Sequence, residues 1–191
     1  MKNKMNKLLL GTILLSVLVF SGIAFAYMFR KTDLVKNEFV KSEVSCKVFE
    51  ITDLGNASEG LQIANQKTSI KVQNTGTIHA YLRVRLVTNW VKRNTETNEF
   101  EITAKPSPDF SIELGENWIA GSNHMYYYKI PIEPNGYTGD LLNSPFILKS
   151  EDGCYQVVEV FAEAIQSQPV KTVMESWEVT LDSQGHISNA N

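Results

Sequence analysis

The sequence predicts an all-β fold: an antiparallel, jelly-roll-like β-sandwich with one or two short helices, preceded by an N-terminal hydrophobic signal helix. Three observations support this prediction. Two long segments alternate apolar and polar residues, several shorter alternating segments are separated by Gly, Pro and Asn, and only one short helical pattern follows the N-terminus. Alternation is typical of strands because successive side chains point to opposite faces. Many short strands with few helices favour two packed sheets.

The longest alternating segment spans residues 68–90. One face of its second half is apolar and holds Ala80, Leu82, Val84, Leu86, Thr88 and Trp90. The opposite face begins at Tyr81 and is predicted to be mostly solvated. Residues 74–77, Asn-Thr-Gly-Thr, separate this half from Ile70 and Val72. Either a three-residue hairpin places Val72 opposite Ala80, or the chain crosses here between two stacked sheets.

The remaining elements follow from shorter patterns. Residues 43–51 and 154–165 alternate as strands, and residues 52–67 read as a long surface loop. Val170, Val173, Met174 and Trp177 have the spacing of a short amphipathic helix after Pro169. Weaker predictions are strands at 99–103, 110–114, 124–132 and 179–181, and one helical turn at 138–143.

Length and charge limit the function. The chain has 191 residues, 18 of them basic and 21 acidic, which suits one domain with a substantial core. The chain contains no basic run, and residues 27–191 hold 15 basic and 21 acidic side chains. We therefore expect no nucleic-acid partner.

The N-terminus has the order of a secretory signal peptide. Three lysines precede an uncharged run from Leu8 to Phe25, and Ala24 and Ala26 supply the small residues of a cleavage site. Cleavage makes residues 1–26 the signal peptide, and the mature chain then begins at Tyr27 outside the cytoplasm. The run is also long enough for a retained signal anchor, which remains the alternative.

Cys46 and Cys154 lie within predicted strands and point towards a core. In an oxidising compartment two states of these cysteines are open, and the sequence does not distinguish them. They form a disulfide between neighbouring strands, or they remain buried free thiols that pack as small hydrophobes.

No catalytic or metal-ligating pattern is present. His79, His124 and His186 are far apart in sequence and none belongs to a zinc motif, so we expect no metal and no cofactor. Glu159 and Glu163 share a face of one strand, which is common for solvated carboxylates. Trp90, Trp118 and the tyrosines 126–128 suit either a sugar-stacking platform or, more readily, a core. Arg83 and Arg85 are expected to pair with acids on neighbouring strands. The chain is predicted not to be an enzyme.

Several motifs together resemble the TasA/camelysin family of secreted Gram-positive bacterial proteins, in particular its biofilm-matrix branch. Residues 26–29 (AYMF) and 33–39 (DLVKNEF) are similar to its cleavage junction and the segment that follows. Residues 72–76 and 80–84 are similar to its V-K-N-T-G and A-Y-x-R-V signatures. The single residues that carry the resemblance are Asn74, Gly76, Ala80, Tyr81, Arg83, Trp90, Trp118, Tyr126, Tyr128, Ala164, Gln166 and Trp177.

The resemblance implies a secreted structural protein of the extracellular matrix or cell surface, cleaved by an ER-type signal peptidase. It also implies a head-to-tail homopolymer, in which residues 27–41 add as a donor strand to the next β-sandwich domain, residues 42–191. Other matrix proteins or polysaccharide are further expected partners. The donor side chains would be Tyr27, Met28, Phe29, Leu34, Val35 and Phe39.

Two other functions remain open at this stage. One is a camelysin-like secreted or surface protease, which would show metal-dependent proteolysis. The other is a carbohydrate- or surface-binding module that uses the tyrosine run.

Overall fold

The computed structural model describes residues 42–56 and 63–190, so the predicted signal peptide and donor segment lie outside the described residues. The elements, in chain order, are β1 Cys46–Thr52, β2 Gly55–Asn56, β3 Gln66–Asn74, β4 Ala80–Arg93, β5 Phe100–Ile102, β6 Trp118–Ala120, β7 Met125–Tyr128, β8 Phe146–Ile147, β9 Ser150–Glu151, β10 Cys154–Gln166, α1 Val170–Trp177, β11 Val179–Leu181 and β12 Ile187–Ala190.

Two antiparallel sheets make up the body of the domain. The first has the strand order β2-β1-β3-β8, and the second has the order β6-β7-β4-β10-β9 with β5 also paired to β4. Strands β11 and β12 pair with each other. The predicted all-β, antiparallel sandwich with a short helix is confirmed.

The inner core lies between the two sheets. Ile70 and Val72 of β3 belong to the same buried cluster as Leu82 and Val84 of β4, and all four have no exposed surface. Full burial of such a side chain contributes roughly 1.5–3 kcal/mol. The alternation predicted for β4 is confirmed along this face, because every second residue from Ala80 to Trp90 is buried.

Strands β3 and β4 belong to different sheets, so the hairpin alternative is wrong and the chain crosses between the layers at residues 75–79. The physical reason is that each strand has one largely apolar, buried face, with Ile70 and Val72 in β3 and Leu82, Val84 and Leu86 in β4. A hairpin would set the strands side by side, whereas the crossover stacks the two faces against each other. Strand β3 pairs instead with β1, and β4 pairs with β10.

A second core covers part of the outer face of the second sheet. It contains Tyr81, Tyr127, Val173, Trp177, Val179 and Ile187. The predicted helix forms over Val170–Trp177 and buries Val173 and Trp177. This core buries Tyr81, which is only 2% exposed. Val91, also on the outer face of β4, is 1% exposed, so this face is less solvated than predicted.

Residues 138–143 do not form the predicted helical turn. They run beside β3 instead, where the Thr138 and Leu141 amides donate to the Val72 and Ile70 carbonyls. The Thr138 hydroxyl and the Asp140 carboxylate accept from the amides of the same two β3 residues at 3.0 and 2.9 Å. Polar side chains that bond to a neighbouring backbone compete with helix formation. Residues 110–114 form no strand beyond an isolated bridge at Leu114.

Candidate functional site: an open strand edge

Strands β1 and β10 are outer strands of their sheets and lie against each other on one side of the sandwich. Strand β1 pairs with β2 only through Ile51 and Thr52, and β10 pairs with β9 only through Cys154 and Tyr155. Among the described residues no strand pairs with the rest of these two outer sides. We call residues 46–50 of β1 and 158–164 of β10 the open edge.

Hydrogen bonds at the ends of β10 show which backbone groups point to the open edge. The Gln156 amide donates to the Lys149 carbonyl on the β9 side at 2.8 Å, and the Ser167 amide donates to the His79 carbonyl on the β4 side at 3.0 Å. Because alternate residues of a strand direct their polar groups to opposite sides, even-numbered residues point outwards. Val158, Val160, Ala162 and Ala164 therefore present their N–H and C=O groups along the open edge.

The same residues direct their side chains into the sandwich, where the inner core is incompletely covered. Val160, Ala162 and Ala164 of β10 pack against the core and are only half-buried, as are Cys46 and Val48 of β1. The core side chains between β3 and β4 are fully buried, whereas those between β1 and β10 are partly exposed to solvent. An added strand would both pair the free backbone groups and cover these side chains.

Acidic side chains surround the open edge. Glu159 and Glu163 are exposed on the outer face of β10, and Glu50 of β1 forms an ion pair with the buried Lys67. Glu163 also accepts from Arg83 Nε at 2.8 Å, which confirms the pairing of Arg83 with an acid on a neighbouring strand. The guanidinium of Arg83 lies 4.6 Å from the ring centroid of Trp177.

Cys46 and Cys154 are free thiols. Cys46 pairs with Asn74 at the crossover, next to Ala80, which pairs with Gln166, so Cys46 lies at the end of β10 that holds Glu163. Burial, and to a smaller extent the Glu163 carboxylate, raise the pKa of Cys46. Glu163 is nine residues from Cys154 on the same unbroken strand, a separation of about 30 Å. A disulfide requires Cα atoms within about 7 Å, so the intramolecular bond between neighbouring strands is wrong. Cys154 is the first residue of β10, whereas Cys46, on β1, lies beside the other end of β10.

We expect both thiols of the folded protein to react with iodoacetamide without prior reduction. Two labels should appear by intact mass, and Cys46 should react more slowly because its raised pKa leaves less of the reactive thiolate. Its rate should continue to rise above pH 9.0, the ordinary thiol pKa, because its own pKa is raised and the thiolate is the nucleophile. Cys46→Ser should remove the slow label alone. An unlabelled chain two hydrogens lighter than expected would contradict this placement.

The family-like residues at the crossover hold the two sheets together. Asn74 is fully buried, and its side-chain amide donates to the Ile78 and Ile132 carbonyls, each at 2.8 Å. Its side-chain oxygen accepts from the Gly76 amide at 3.0 Å. Ala80 follows as the first residue of β4 and pairs with Gln166. These residues shape the crossover and present no reactive group.

The other family-like residues divide between the two cores. Trp118, Tyr126 and Tyr128 belong to the inner core, and Tyr81 and Trp177 belong to the outer one. Trp90 is buried, and Ala164 is partly buried on β10. Burial raises the pKa of Tyr126, and burial together with the Asp182 carboxylate raises the pKa of Tyr81.

The tyrosine run does not form a sugar-stacking platform. Tyr126, Tyr127 and Tyr128 are 7%, 3% and 8% exposed, so their ring faces are covered by protein. Both faces of this strand are buried because the inner core lies on one side and α1 on the other. The exposed aromatic pair is Phe49 and Tyr137, whose ring centroids are 5.5 Å apart. In the sequence, the alternation of β1 already places Phe49 on the exposed face of the strand, which is the pattern that could have predicted an exposed aromatic side chain here.

Within residues 42–56 and 63–190, no three His, Cys, Asp or Glu side chains are grouped to hold a metal ion. The same residues include no helix with the length and apolar character needed to cross a membrane. No family model, curated protein or solved structure matches this chain.

Proposed function

We propose that the chain is an exported, non-enzymatic subunit that polymerises head-to-tail into extracellular fibres of a biofilm matrix. In this proposal an ER-type signal peptidase releases Tyr27, and residues 27–41 of one copy add as a strand to the open edge of the next. The observation that carries the proposal is the open edge itself. A long unpaired strand edge is a template for strand addition, and soluble proteins usually protect such edges.

The length of the segment suits this edge. Residues 27–41 number 15 and reach about 50 Å when extended, whereas residues 158–164 of β10 span about 23 Å. Seven or eight residues are enough to pair along the open edge. The remainder is long enough to connect the two subunits.

The charges of the two partners are complementary. Residues 27–41 contain four basic and two acidic side chains, whereas residues 42–191 contain 11 basic and 19 acidic ones. Glu159 and Glu163 lie on the acceptor side of this contact. Opposite charges accelerate the encounter of two copies and favour the correct partner.

Because the donor and acceptor surfaces are different, each copy that donates to one neighbour still accepts from another. Such a head-to-tail contact does not close on itself when no ring geometry is imposed, and it produces an open filament. Other matrix proteins or polysaccharide are further partners in this proposal and bind the fibre surface.

The direct test is electron microscopy of the mature protein purified from the culture medium of a secreting host. We expect filaments whose number falls at high salt, where the charge complementarity is screened. Intact mass should show a chain that begins at Tyr27. Monomers at every concentration up to the millimolar range would overturn the proposal.

The acceptor edge can be tested with Ala162→Pro. Ala162 directs its N–H to the open edge and away from β4, so proline removes one donor from the acceptor and none from the β4–β10 ladder. We expect the critical concentration for filaments to rise roughly tenfold or more, because one hydrogen bond is lost and the ring obstructs the approach. Phe161→Ala, an exposed neighbour that keeps all backbone donors, is the control. Equal filament yields from both variants would show that the donor strand does not pair with the open edge of β10.

A further inference from the structure

Residues 43–45, directly before β1, are held by the crossover at residues 75–77. The Thr75 amide donates to the Ser45 carbonyl at 3.0 Å, and the Thr77 amide donates to the Glu43 carbonyl at 2.9 Å. The Glu43 amide donates in return to the Thr77 hydroxyl at 2.9 Å. The Ser45 and Thr75 hydroxyls are 2.8 Å apart and share a hydrogen bond. We call this set of four hydrogen bonds the clamp.

The clamp continues the pairing of β1 with β3 beyond the end of both strands. The pairs Cys46–Asn74 and Lys47–Gln73 are followed in the same register by Ser45–Thr75 and Glu43–Thr77. The chain therefore enters β1 in a straight line from Glu43 onwards. No turn redirects it at this point.

Gly76 allows the clamp to close. A Cβ atom at this position would lie 2.4 Å from the Glu43 carbonyl oxygen and 3.0 Å from the Ser45 amide nitrogen. Both atoms are backbone, so neither can move aside without breaking the clamp. Glycine is needed here for close approach, and its φ is not in the left-handed region.

The clamp fixes the direction in which the chain enters β1. This direction decides whether the preceding residues reach the open edge of their own copy or that of a neighbouring copy. Cys46, at the start of β1, pairs with Asn74, and the Asn74 side chain and the Ala80 amide both donate to the Ile132 carbonyl. Ala80 in turn pairs with Gln166, so Cys46 lies at the end of β10. Glu43 therefore lies at the end of the domain where β10 finishes, and the preceding segment is attached at this end. To pair with its own β10, it would have to reverse direction directly before the clamp.

We propose that the clamp directs residues 27–41 away from the open edge of their own copy and into that of the next copy. In a neighbour placed further along the strand axis, β10 runs opposite to the incoming segment, so the new pair is antiparallel like every other pair in these sheets. The clamp thus favours exchange between copies over self-complementation. This inference rests on the proposed polymerisation, and it assigns Gly76 the role of a positioning residue.

The test compares Gly76→Ala with Gly139→Ala in the protein secreted and purified as above. A Cβ at Gly139 meets its nearest atoms at 3.5 Å, an ordinary contact, and neither glycine has a positive φ. We expect Gly76→Ala to raise the critical concentration at least about tenfold, which corresponds to the loss of two clamp hydrogen bonds of ordinary net strength. Gly139→Ala should assemble like the unaltered protein.

Two additional measurements keep the outcome clear. Thr77→Val removes the hydroxyl that accepts from Glu43 without adding bulk at Gly76, and it should raise the critical concentration in the same direction by a smaller factor. Thermal unfolding of each variant shows whether the domain remains folded. Folded Gly76→Ala and Thr77→Val that assemble as readily as Gly139→Ala would overturn the role of the clamp.

The outcomes also separate this inference from the proposed function. If the unaltered protein forms no filaments, the polymerisation proposal fails. If the unaltered protein assembles but Gly76→Ala assembles equally well, only the clamp inference fails.

Discussion

Deletion of residues 27–41 is expected to yield a folded monomer that forms no filaments at any concentration. Residues 42–56 and 63–190 form both cores and the two sheets, so the truncated domain should keep its cooperative unfolding. Its open edge would remain intact but would have no donor. The measurements are electron microscopy and sedimentation velocity, with circular dichroism to establish the fold.

A synthetic peptide of residues 27–41 provides the matched control for this deletion. Added to the truncated domain, it should bind the open edge and raise the unfolding temperature, because a ligand present at 100 times its Kd stabilises the folded state by about 2.7 kcal/mol. A scrambled peptide of the same composition keeps the net charge and should stabilise less. Filaments formed by the truncated domain would refute the donor role of residues 27–41.

Asn74→Ala is expected to be among the most destabilising single substitutions in this chain. The side chain is fully buried, and its loss leaves the Gly76 amide and the Ile78 carbonyl without their partner at the crossover. Each such buried group costs about 1–3 kcal/mol, so we expect a loss of about 3 kcal/mol in the free energy of unfolding. For a domain of this size the unfolding temperature should fall by roughly 6–12 °C.

Gln73→Ala is the control for Asn74→Ala. Gln73 is adjacent, half-buried, and donates one side-chain hydrogen bond to the Asn135 carbonyl at 3.2 Å. Urea unfolding of both variants gives the comparison, and we expect Gln73→Ala to cost about 1 kcal/mol or less. Equal losses would show that the buried amide of Asn74 does not hold the crossover.

The elements with strong periodicity could be predicted from the sequence. The spacing of Val170, Val173 and Trp177 after Pro169 predicts α1, and the helix forms over those residues. The alternation from Ala80 to Trp90 predicts the buried face of β4. In both cases the spacing of the apolar residues follows the period of the element, about 3.6 residues in a helix and two in a strand, so it can be read from the sequence alone.

The pairing of the strands could not be predicted in the same way. The pattern around Gly76 suits a hairpin and a crossover equally well, and only the apolar faces of β3 and β4, stacked in three dimensions, distinguish them. The tyrosines 126–128 look amphipathic in sequence and are buried on both sides because α1 covers the outer face.

The open edge is invisible in the sequence for a related reason. A strand becomes an edge through the absence of a neighbour, and the residues of β10 alternate no differently from those of β4, which has partner strands on both sides. The exposed fraction of Val160 and Ala162 reveals the edge only once the sheet order is known.

The unbroken register between β4 and β10 has a mechanical consequence. The 13 residues of β10 pair with β4 from Cys154–Lys92 to Gln166–Ala80 without a bulge. In a fibre whose axis follows the strands, tension would load all of these hydrogen bonds together in shear instead of opening them one after another. Such a subunit should resist stretching, and an unfolding force measured by pulling on single fibres, compared with that for a bulge inserted in β10, would report it.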